Sequence, residues 1–274
     1  MFTFGQQLIF NRLMISILIL SLFSSCTSKD GDLNFFSPED DVDMGARYNT
    51  EILAQPGEFP VLDEVEYAAA YQQVRGMVSK ILKSESMLHK EEFSWEVRIL
   101  ENDTILNAFC TPGGYIYVYT GLIHYLDSED QLAGVLGHEI AHADLRHSTE
   151  QMTKNYGLRL AIQFFLGDGT LLGTIAGGLA GLTFSRDDET ESDLQSVRYL
   201  YDTDYDPRGV ARFFEKMEQR GESLGPLVFL STHPNPENRV KNIMTEWKRL
   251  GSKKGKVNKE EYNTLKKNLN IQSP

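Results

Sequence analysis

The chain has 274 residues, and its 39 acidic and 27 basic side chains give a formal net charge of −12 at pH 7. Binding of nucleic acid needs a basic surface to contact the phosphates, and this acidic chain would repel them. We therefore expect no nucleic-acid partner. A hydrophobic content of 41% is enough for the core of one large domain or two small ones.

The N-terminus has the order of a secretory signal peptide. Arg12 precedes an apolar run over 13–23 that is too short to span a bilayer comfortably, and two serines stand directly before Cys26. The order also resembles a bacterial lipoprotein signal, in which cleavage precedes a cysteine that becomes lipidated. We expect residues 1–25 to be a signal peptide, Cys26 to carry lipid, and residues 26–37 to form an acidic linker. A plain signal peptide or an uncleaved anchor is the alternative.

Helical and strand patterns predict one domain over residues 38–250. Apolar residues recur at three and four positions over Pro38–Leu53 and Leu62–Lys83, which predicts two opening helices. Three runs rich in β-branched and aromatic residues then predict a small antiparallel sheet: WEVRIL, NAFC and GGYIYVYT. The later helices are predicted at Ser128–His147, Glu150–Leu166, Leu171–Phe184, Ser185–Tyr201, Pro207–Gly221 and Pro236–Leu250. Strands followed by helices make the fold class α+β, mostly helical.

Three other segments complete the organisation of the chain. Lysines gather after Leu250, and residues 251–274 are interpreted as a basic C-terminal tail. The apolar run Leu158–Leu182 is interrupted by GDG, and we interpret it as core or lid helices, with a membrane-resting patch as the alternative. Cys110, in NAFC, is interpreted as a small buried hydrophobic residue.

The run HEIAH, residues 138–142, has the spacing of a metal site on a helix. Residues four apart share a face, so His138 and His142 can each give one ring nitrogen to a single ion. In this arrangement Glu139 is not a ligand but takes a proton from the water that the metal activates. The helix is otherwise strongly apolar, and a metal removes the cost of burying imidazole and carboxylate there.

A third protein ligand is needed for such a site. The extended pattern H-E-x-x-H-x-x-G-x-x-H fails, because Leu145 and Ser148 occupy its last two marked positions. In SRDDETESDLQ, Glu189 and Asp193 share one helical face, whereas Glu191 is rotated by about 200° from Glu189. We favour Glu189 as the ligand and Asp193 as the acceptor of a ligand histidine's free N–H, with Glu191 as the alternative metal ligand.

Four motifs in this order resemble the M48 family of zinc metallopeptidases: NAFCTPGGYIYVYTGLI, HEIAH, ETESD and STHPNPENR. The resemblance covers about residues 38–250 and implies a zincin fold of the gluzincin type, with the sheet beside the active-site helix. It implies peptide-bond hydrolysis, with Glu139 as general base. It also implies one Zn²⁺ per chain, held by His138, His142 and Glu189.

The resemblance implies further roles outside the metal set. An extended substrate is expected to pair with the strand NAF, which makes Asn107, Ala108 and Phe109 substrate contacts; an ordinary core strand is the alternative. His233 is expected to assist catalysis, by donating a hydrogen bond to the oxyanion or by closing over zinc as a fourth ligand. Arg239 is interpreted as a support for that loop or a contact for a substrate carboxylate.

These observations predict a zinc endopeptidase of the bacterial cell envelope that serves in protein quality control. Its expected partners are unfolded or misassembled envelope proteins as substrates, and a membrane, reached by the lipid anchor. It is expected to face the periplasm, with the outer membrane favoured over the inner, like the short family members without a repeat domain. A gated chaperone-like protein with a mostly closed zinc site, or an acidic structural lipoprotein, are the alternatives. The remaining histidines are interpreted as making surface or local hydrogen bonds: His89, His124 and His147.

Overall fold

The structure is a computed structural model that describes residues 33–165, 183–220, 228–234 and 238–270. The predicted signal peptide, Cys26 and residues 166–182 of the glycine-rich run therefore lie outside the described residues. Within these ranges, no helix combines the length and the apolar character that a bilayer crossing requires.

Helices dominate the described ranges, and the predicted mostly helical α+β class is confirmed. In chain order the elements are α1 (Pro38–Leu53), α2 (Ala68–Ile81), β1 (Glu96–Leu100), β2 (Ala108–Thr111), β3 (Tyr115–Tyr119), α3 (Thr120–Tyr125), α4 (Glu129–Asp144), α5 (His147–Phe165), α6 (Arg186–Tyr201), α7 (Gly209–Arg220), α8 (Val228–Thr232), α9 (Arg239–Arg249) and α10 (Lys259–Asn268). The first helix has the bounds that the apolar spacing predicts. Its start is defined by Ser37, whose side chain accepts a hydrogen bond from the Asp40 amide while the Asp40 side chain accepts one from Ser37.

The sheet is mixed, where the sequence predicted an antiparallel one. Its strand order is β1-β3-β2, with β1 parallel and β2 antiparallel to β3. The chain reverses direction between β1 and β2 and again between β2 and β3, so the first and last strands run the same way. The second reversal is tight because Gly113 and Gly114 adopt φ angles of 73° and 87°, which residues with a Cβ rarely adopt.

Helix α4 lies at the centre of the fold, and all of its residues are buried. Ala108 and Cys110 of β2 belong to the same buried core as α4, and α6 and α7 pack closely against the helix. A Cβ on Gly137 would lie 2.7 Å from Ser196 Oγ on α6, and one on Gly134 would lie 2.2 Å from the Val210 nitrogen on α7. Glycines therefore let these helices approach one another closely.

The break between the helices predicted at Ser128–His147 and Glu150–Leu166 lies earlier than predicted. The first helix ends at Asp144, and the second begins at His147. Arg146 takes a left-handed φ of 64°, which ends α4 and starts α5 in a new direction. The Arg146 guanidinium donates to the Asp41 carboxylate at 2.7 Å, so a tertiary ion pair accompanies this backbone conformation.

The folded unit extends past both predicted domain boundaries. Within the predicted linker, Asn34 is buried and donates to Thr149 Oγ1 at 3.0 Å. Within the predicted tail, α10 buries Tyr262 and Leu265, and the Tyr262 hydroxyl donates to the Ile123 carbonyl at 2.7 Å. The segment was interpreted as a tail because of its lysines, but Tyr262 and Leu265 form a short apolar stripe at helical spacing.

Candidate metal centre

Helices α4 and α6 bring two imidazoles and a carboxylate to one buried point. The Nε2 atoms of His138 and His142 lie 3.0 Å apart. Glu189 places Oε2 3.4 Å from His138 Nε2 and Oε1 3.4 Å from His142 Nε2. A capping box at Ser185 defines the start of α6, which puts Glu189 in the first turn opposite α4. Three groups with metal-binding chemistry thus converge in the protein interior.

His233 joins these three from the residue after α8. Its Nδ1 lies 2.9 Å from Glu189 Oε1 and 3.4 Å from His138 Nε2. One possible ligand atom from each of the four side chains lies within 4.8 Å of the others. The His233 ring stacks on Phe229 with centroids 4.5 Å apart, and its amide donates to the Phe229 carbonyl at 2.8 Å.

The chemistry of these side chains fits a Zn²⁺ ion. Imidazole nitrogens with one carboxylate oxygen form a common zinc donor set. Beside them, both carboxylate oxygens of Glu139 are buried without a hydrogen-bond partner among the described residues. An unpartnered buried carboxylate is costly, so this group fits a site whose remaining partners arrive with the metal and the substrate. Burial also raises the pKa of Glu139.

Asp193 and Arg239 support the cluster from behind. Asp193 Oδ1 lies 2.9 Å from His138 Nδ1, which is the contact expected for an acceptor of that imidazole's free N–H. Arg239 donates to Asp193 at 2.6 Å and to Glu189 at 2.9 Å. Burial alone would lower the pKa of His138, but hydrogen bonds to Asp193 and Glu189 outweigh it and raise the pKa to about 9. Arg239 therefore binds the carboxylates of Glu189 and Asp193, a role that the sequence left open.

Glu191, the alternative ligand, lies apart from the cluster. Its Oε2 is 3.5 Å from His147 Nε2, and its side chain is 36% exposed. His147 is buried, and its Nδ1 lies 3.0 Å from His142 Nδ1. His147 thus makes a local contact with one of the predicted ligands.

The three predicted substrate contacts differ in orientation, as alternation along a strand requires. Ala108 belongs to the core that contains α4, whereas Phe109 lies in the cluster on the other face of the sheet and stacks on Tyr117 with centroids 4.6 Å apart. The Asn107 side chain is buried, and its Oδ1 has no hydrogen-bond partner among the described residues. In the same ranges, β2 is an edge strand that pairs only with β3.

Two aromatic neighbours of the cluster lie outside the four sequence motifs. Phe184 stacks on His142 with centroids 3.9 Å apart, and Phe229 is the stacking partner of His233. The only signal for Phe229 was its place four residues before His233.

Cys110 is buried and forms no disulfide among the described residues, as expected. Burial raises the pKa of its thiol well above the usual range, and the charge of Glu139 adds to this.

Known proteins similar to this chain share one peptidase family. A family model described as Peptidase family M48 matches residues 68–247, more than half of the chain. The chain is 40% identical over 168 residues to mitochondrial metalloendopeptidase OMA1 of Arabidopsis thaliana, covering 58% of this chain and 34% of that protein.

Two other relatives have similar levels of identity. OMA1 of Schizosaccharomyces pombe is 30% identical over 184 residues, covering 65% of this chain and 54% of the relative. The beta-barrel assembly-enhancing protease of Escherichia coli K12 is 33% identical over 157 residues, covering 52% of this chain and 32% of the relative. The aligned region thus spans between about a third and about half of each relative's length.

Proposed function

The chain belongs to peptidase family M48, and on that premise we propose that it is a zinc-dependent endopeptidase. The observation that carries the proposal is the convergence of His138, His142 and Glu189 in a buried site beside Glu139. Among the described residues the Glu139 carboxylate has no hydrogen-bond partner, and it stands beside a set of zinc-binding side chains, which is the arrangement that hydrolysis by activated water needs.

The side chains of the cluster divide into ligands and proton-transfer groups. His138, His142 and Glu189 would hold one Zn²⁺, which when bound polarises the scissile carbonyl and activates water. Glu139 accepts the proton of the attacking water and passes it to the leaving amine. His233 Nε2 lies 3.6 Å from Glu139 Oε1, so its imidazole stands beside the proposed general base, where it would donate a hydrogen bond to the reacting carbonyl.

The open edge of β2 is the proposed docking strand for substrate. An extended peptide can pair its backbone with such an edge, and this requires main-chain atoms rather than side chains. This suits Ala108 and Phe109, whose side chains are engaged on the two faces of the sheet. Asn107 Oδ1, which has no hydrogen-bond partner within the described part of the chain, can accept one peptide N–H.

The Glu139→Gln variant tests the proposed chemistry. The amide keeps the shape of the side chain but cannot take the proton, so cleavage of a casein substrate should fall by about 10²- to 10⁴-fold. Zinc content, measured by mass spectrometry of the purified variant, should match the wild type because Glu139 is not a proposed ligand. Cleavage at the wild-type rate would overturn the assignment.

We further propose that the protein acts in the bacterial envelope as a lipoprotein on unfolded or misassembled proteins. The order of residues 1–26 supports this, as does the similarity to a beta-barrel assembly-enhancing protease. Fatty-acid labelling of the wild type but not of Cys26→Ala would support the anchor, and equal labelling would contradict it. Glu139→Gln used as a substrate trap in intact cells should enrich envelope proteins, and enrichment of none would contradict the substrate class.

A gated site is the second candidate function, and one contact favours it. His233 Nδ1 lies 2.9 Å from Glu189 Oε1, inside the proposed ligand set, where it can occupy a coordination position that water and substrate need. A chaperone-like protein whose site is mostly closed would gain protease activity in His233→Ala. Lower activity in that variant would favour the assisting role for His233 instead.

A further inference from the structure

We propose that His147 and Glu191 form a positioning pair that holds His142 in the orientation and tautomer of a metal ligand. The proposal rests on the metal site of the proposed function and concerns the support behind His142. His147 lies five residues after His142 and belongs to the next helix, α5.

The two imidazoles of α4 are held at their rear nitrogens in different ways. His138 Nδ1 is 2.9 Å from a carboxylate, Asp193 Oδ1. His142 Nδ1 is instead 3.0 Å from His147 Nδ1, and the far nitrogen of His147 lies 3.5 Å from Glu191 Oε2. A carboxylate thus supports both imidazoles, directly in one case and through a second imidazole in the other.

The placement of protons along this chain follows from metal binding. If Nε2 of His142 binds a metal, its one proton is on Nδ1, which then donates to His147. Nδ1 of His147 must therefore be an acceptor, so the His147 proton lies on Nε2, the nitrogen that faces Glu191. In this series of contacts each ring nitrogen is either a donor or an acceptor, and the Glu191 carboxylate is the final acceptor.

Ser192 lies beside the same nitrogen. Its hydroxyl oxygen is 3.3 Å from His147 Nδ1 and can share the one lone pair that accepts from His142, so it is compatible with an unprotonated Nδ1. Ser192 and Glu191 are adjacent on α6, the helix that also carries Glu189. One helix therefore supplies a proposed ligand to the metal and the support behind a second ligand.

Metal affinity tests the pair without reference to catalysis. Competition with a chromophoric chelator gives the Zn²⁺ affinity of each purified full-length variant. His147→Phe keeps a ring but removes both nitrogens, and we expect its Zn²⁺ affinity to fall by about 10- to 100-fold. His147→Asn keeps a short acceptor near the position of Nδ1 and should recover most of the loss. Glu191→Ala should weaken binding less, since the Glu191 side chain is partly exposed.

A double variant separates positioning from general damage. In the His147→Phe background, Glu191→Ala should cause no further loss, because the carboxylate acts only through His147. Asp187→Ala removes an exposed acid from the same helix and should leave the affinity within twofold of wild type. Independent, multiplying losses in the double variant would overturn the proposal, and so would wild-type affinity in His147→Phe.

Different measurements would overturn the positioning pair and the proposed zinc peptidase activity. A wild-type protein without stoichiometric zinc would overturn both. Stoichiometric zinc and casein cleavage in the wild type, with unchanged Zn²⁺ affinity in Glu191→Ala and His147→Phe, would overturn the positioning pair alone. Circular dichroism of the metal-free variants reports folding, and if His147→Phe does not fold, His147→Asn with and without Glu191→Ala decides the question.

Discussion

The proposed site joins two unlike regions of the molecule. His138, His142 and Glu189 stand on α4 and α6, two helices of 16 residues each that pack together in the core. His233 follows α8, a helix of five residues. It is held by local contacts with Phe229, the ring stacking and the hydrogen bond from its own amide to the Phe229 carbonyl, together with the contact of its Nδ1 with Glu189.

The site therefore combines side chains held by two long packed helices with one side chain held by a short segment. Moving Glu189 relative to the imidazoles would require α6 to shift against α4, where the two helices lie close together at Gly137. Moving His233 would disturb its contacts with Phe229 and one contact with Glu189, without shifting either long helix. We therefore expect changes in the α4–α6 region to alter metal binding and stability together, and changes at His233 to alter neither strongly.

The largest expected effect is loss of the metal from the α4–α6 region. Glu189→Ala removes one of three proposed ligands and should abolish stoichiometric zinc after dialysis, as measured by mass spectrometry of the metal. Glu191→Ala, two residues away, should retain zinc when the metal is supplied in excess. Retention of zinc by Glu189→Ala and its loss from Glu191→Ala would contradict the choice of Glu189 as the ligand.

The next effect is on stability and concerns Arg239, which binds Glu189 and Asp193 of α6. Arg239→Met leaves Glu189 and Asp193 buried without their cation, which should lower the free energy of unfolding of the metal-free protein by about 3–5 kcal/mol. Urea denaturation measures this loss, and added zinc should restore part of it. Arg249→Met, at an exposed position of the same helix, is the control and should change little. Equal losses in the two variants would contradict this role of Arg239.

A smaller effect is expected where α4 meets α7. Gly134→Ala places a Cβ against the Val210 backbone and should destabilise the protein by about 1–3 kcal/mol. Gly76→Ala, in α2, meets nothing within 4 Å and should stabilise the protein by about 0.5–1 kcal/mol. Thermal unfolding of the pair measures both signs. Stabilisation by Gly134→Ala would show that α4 is less tightly held than its contacts indicate.

The smallest effect is expected at His233. His233→Ala should keep one zinc per chain, since three protein ligands suffice in catalytic zinc sites, and should shift the melting temperature less than Gly134→Ala does. Metal analysis and thermal unfolding of the zinc-loaded variant test this. Loss of the metal from His233→Ala would show that the two regions are equally necessary.

The sequence predicted the features that depend on spacing within one helix. Helical spacing alone placed α1 and put His138 and His142 on one face, and rotation about α6 separated Glu189 from Glu191. The resemblance to the M48 family, which rested on four short motifs, is confirmed. Metal occupancy and the roles of individual site residues stay predictions for the experiments above.

Features that depend on tertiary contacts could not be predicted from local sequence patterns. On a continuous helix, His147 would lie about 140° around the axis from His142, and only the left-handed turn at Arg146 brings the two rings together. That turn is accompanied by an ion pair to Asp41, more than a hundred residues earlier, which no local pattern encodes. The direction of β1 and the packing of α10 likewise depend on elements distant in the sequence.

The burial of Cys110 gives the protein an internal reporter of opening. The thiolate is the form of cysteine that attacks alkylating reagents, and burial with a raised pKa keeps the Cys110 thiol protonated and inert while β2 lies against α4. Modification at Cys110, followed by peptide mapping, therefore measures how often the sheet separates from the central helix. If peptides that pair with β2 slow this labelling, the same cysteine will register substrate docking before any bond is cut.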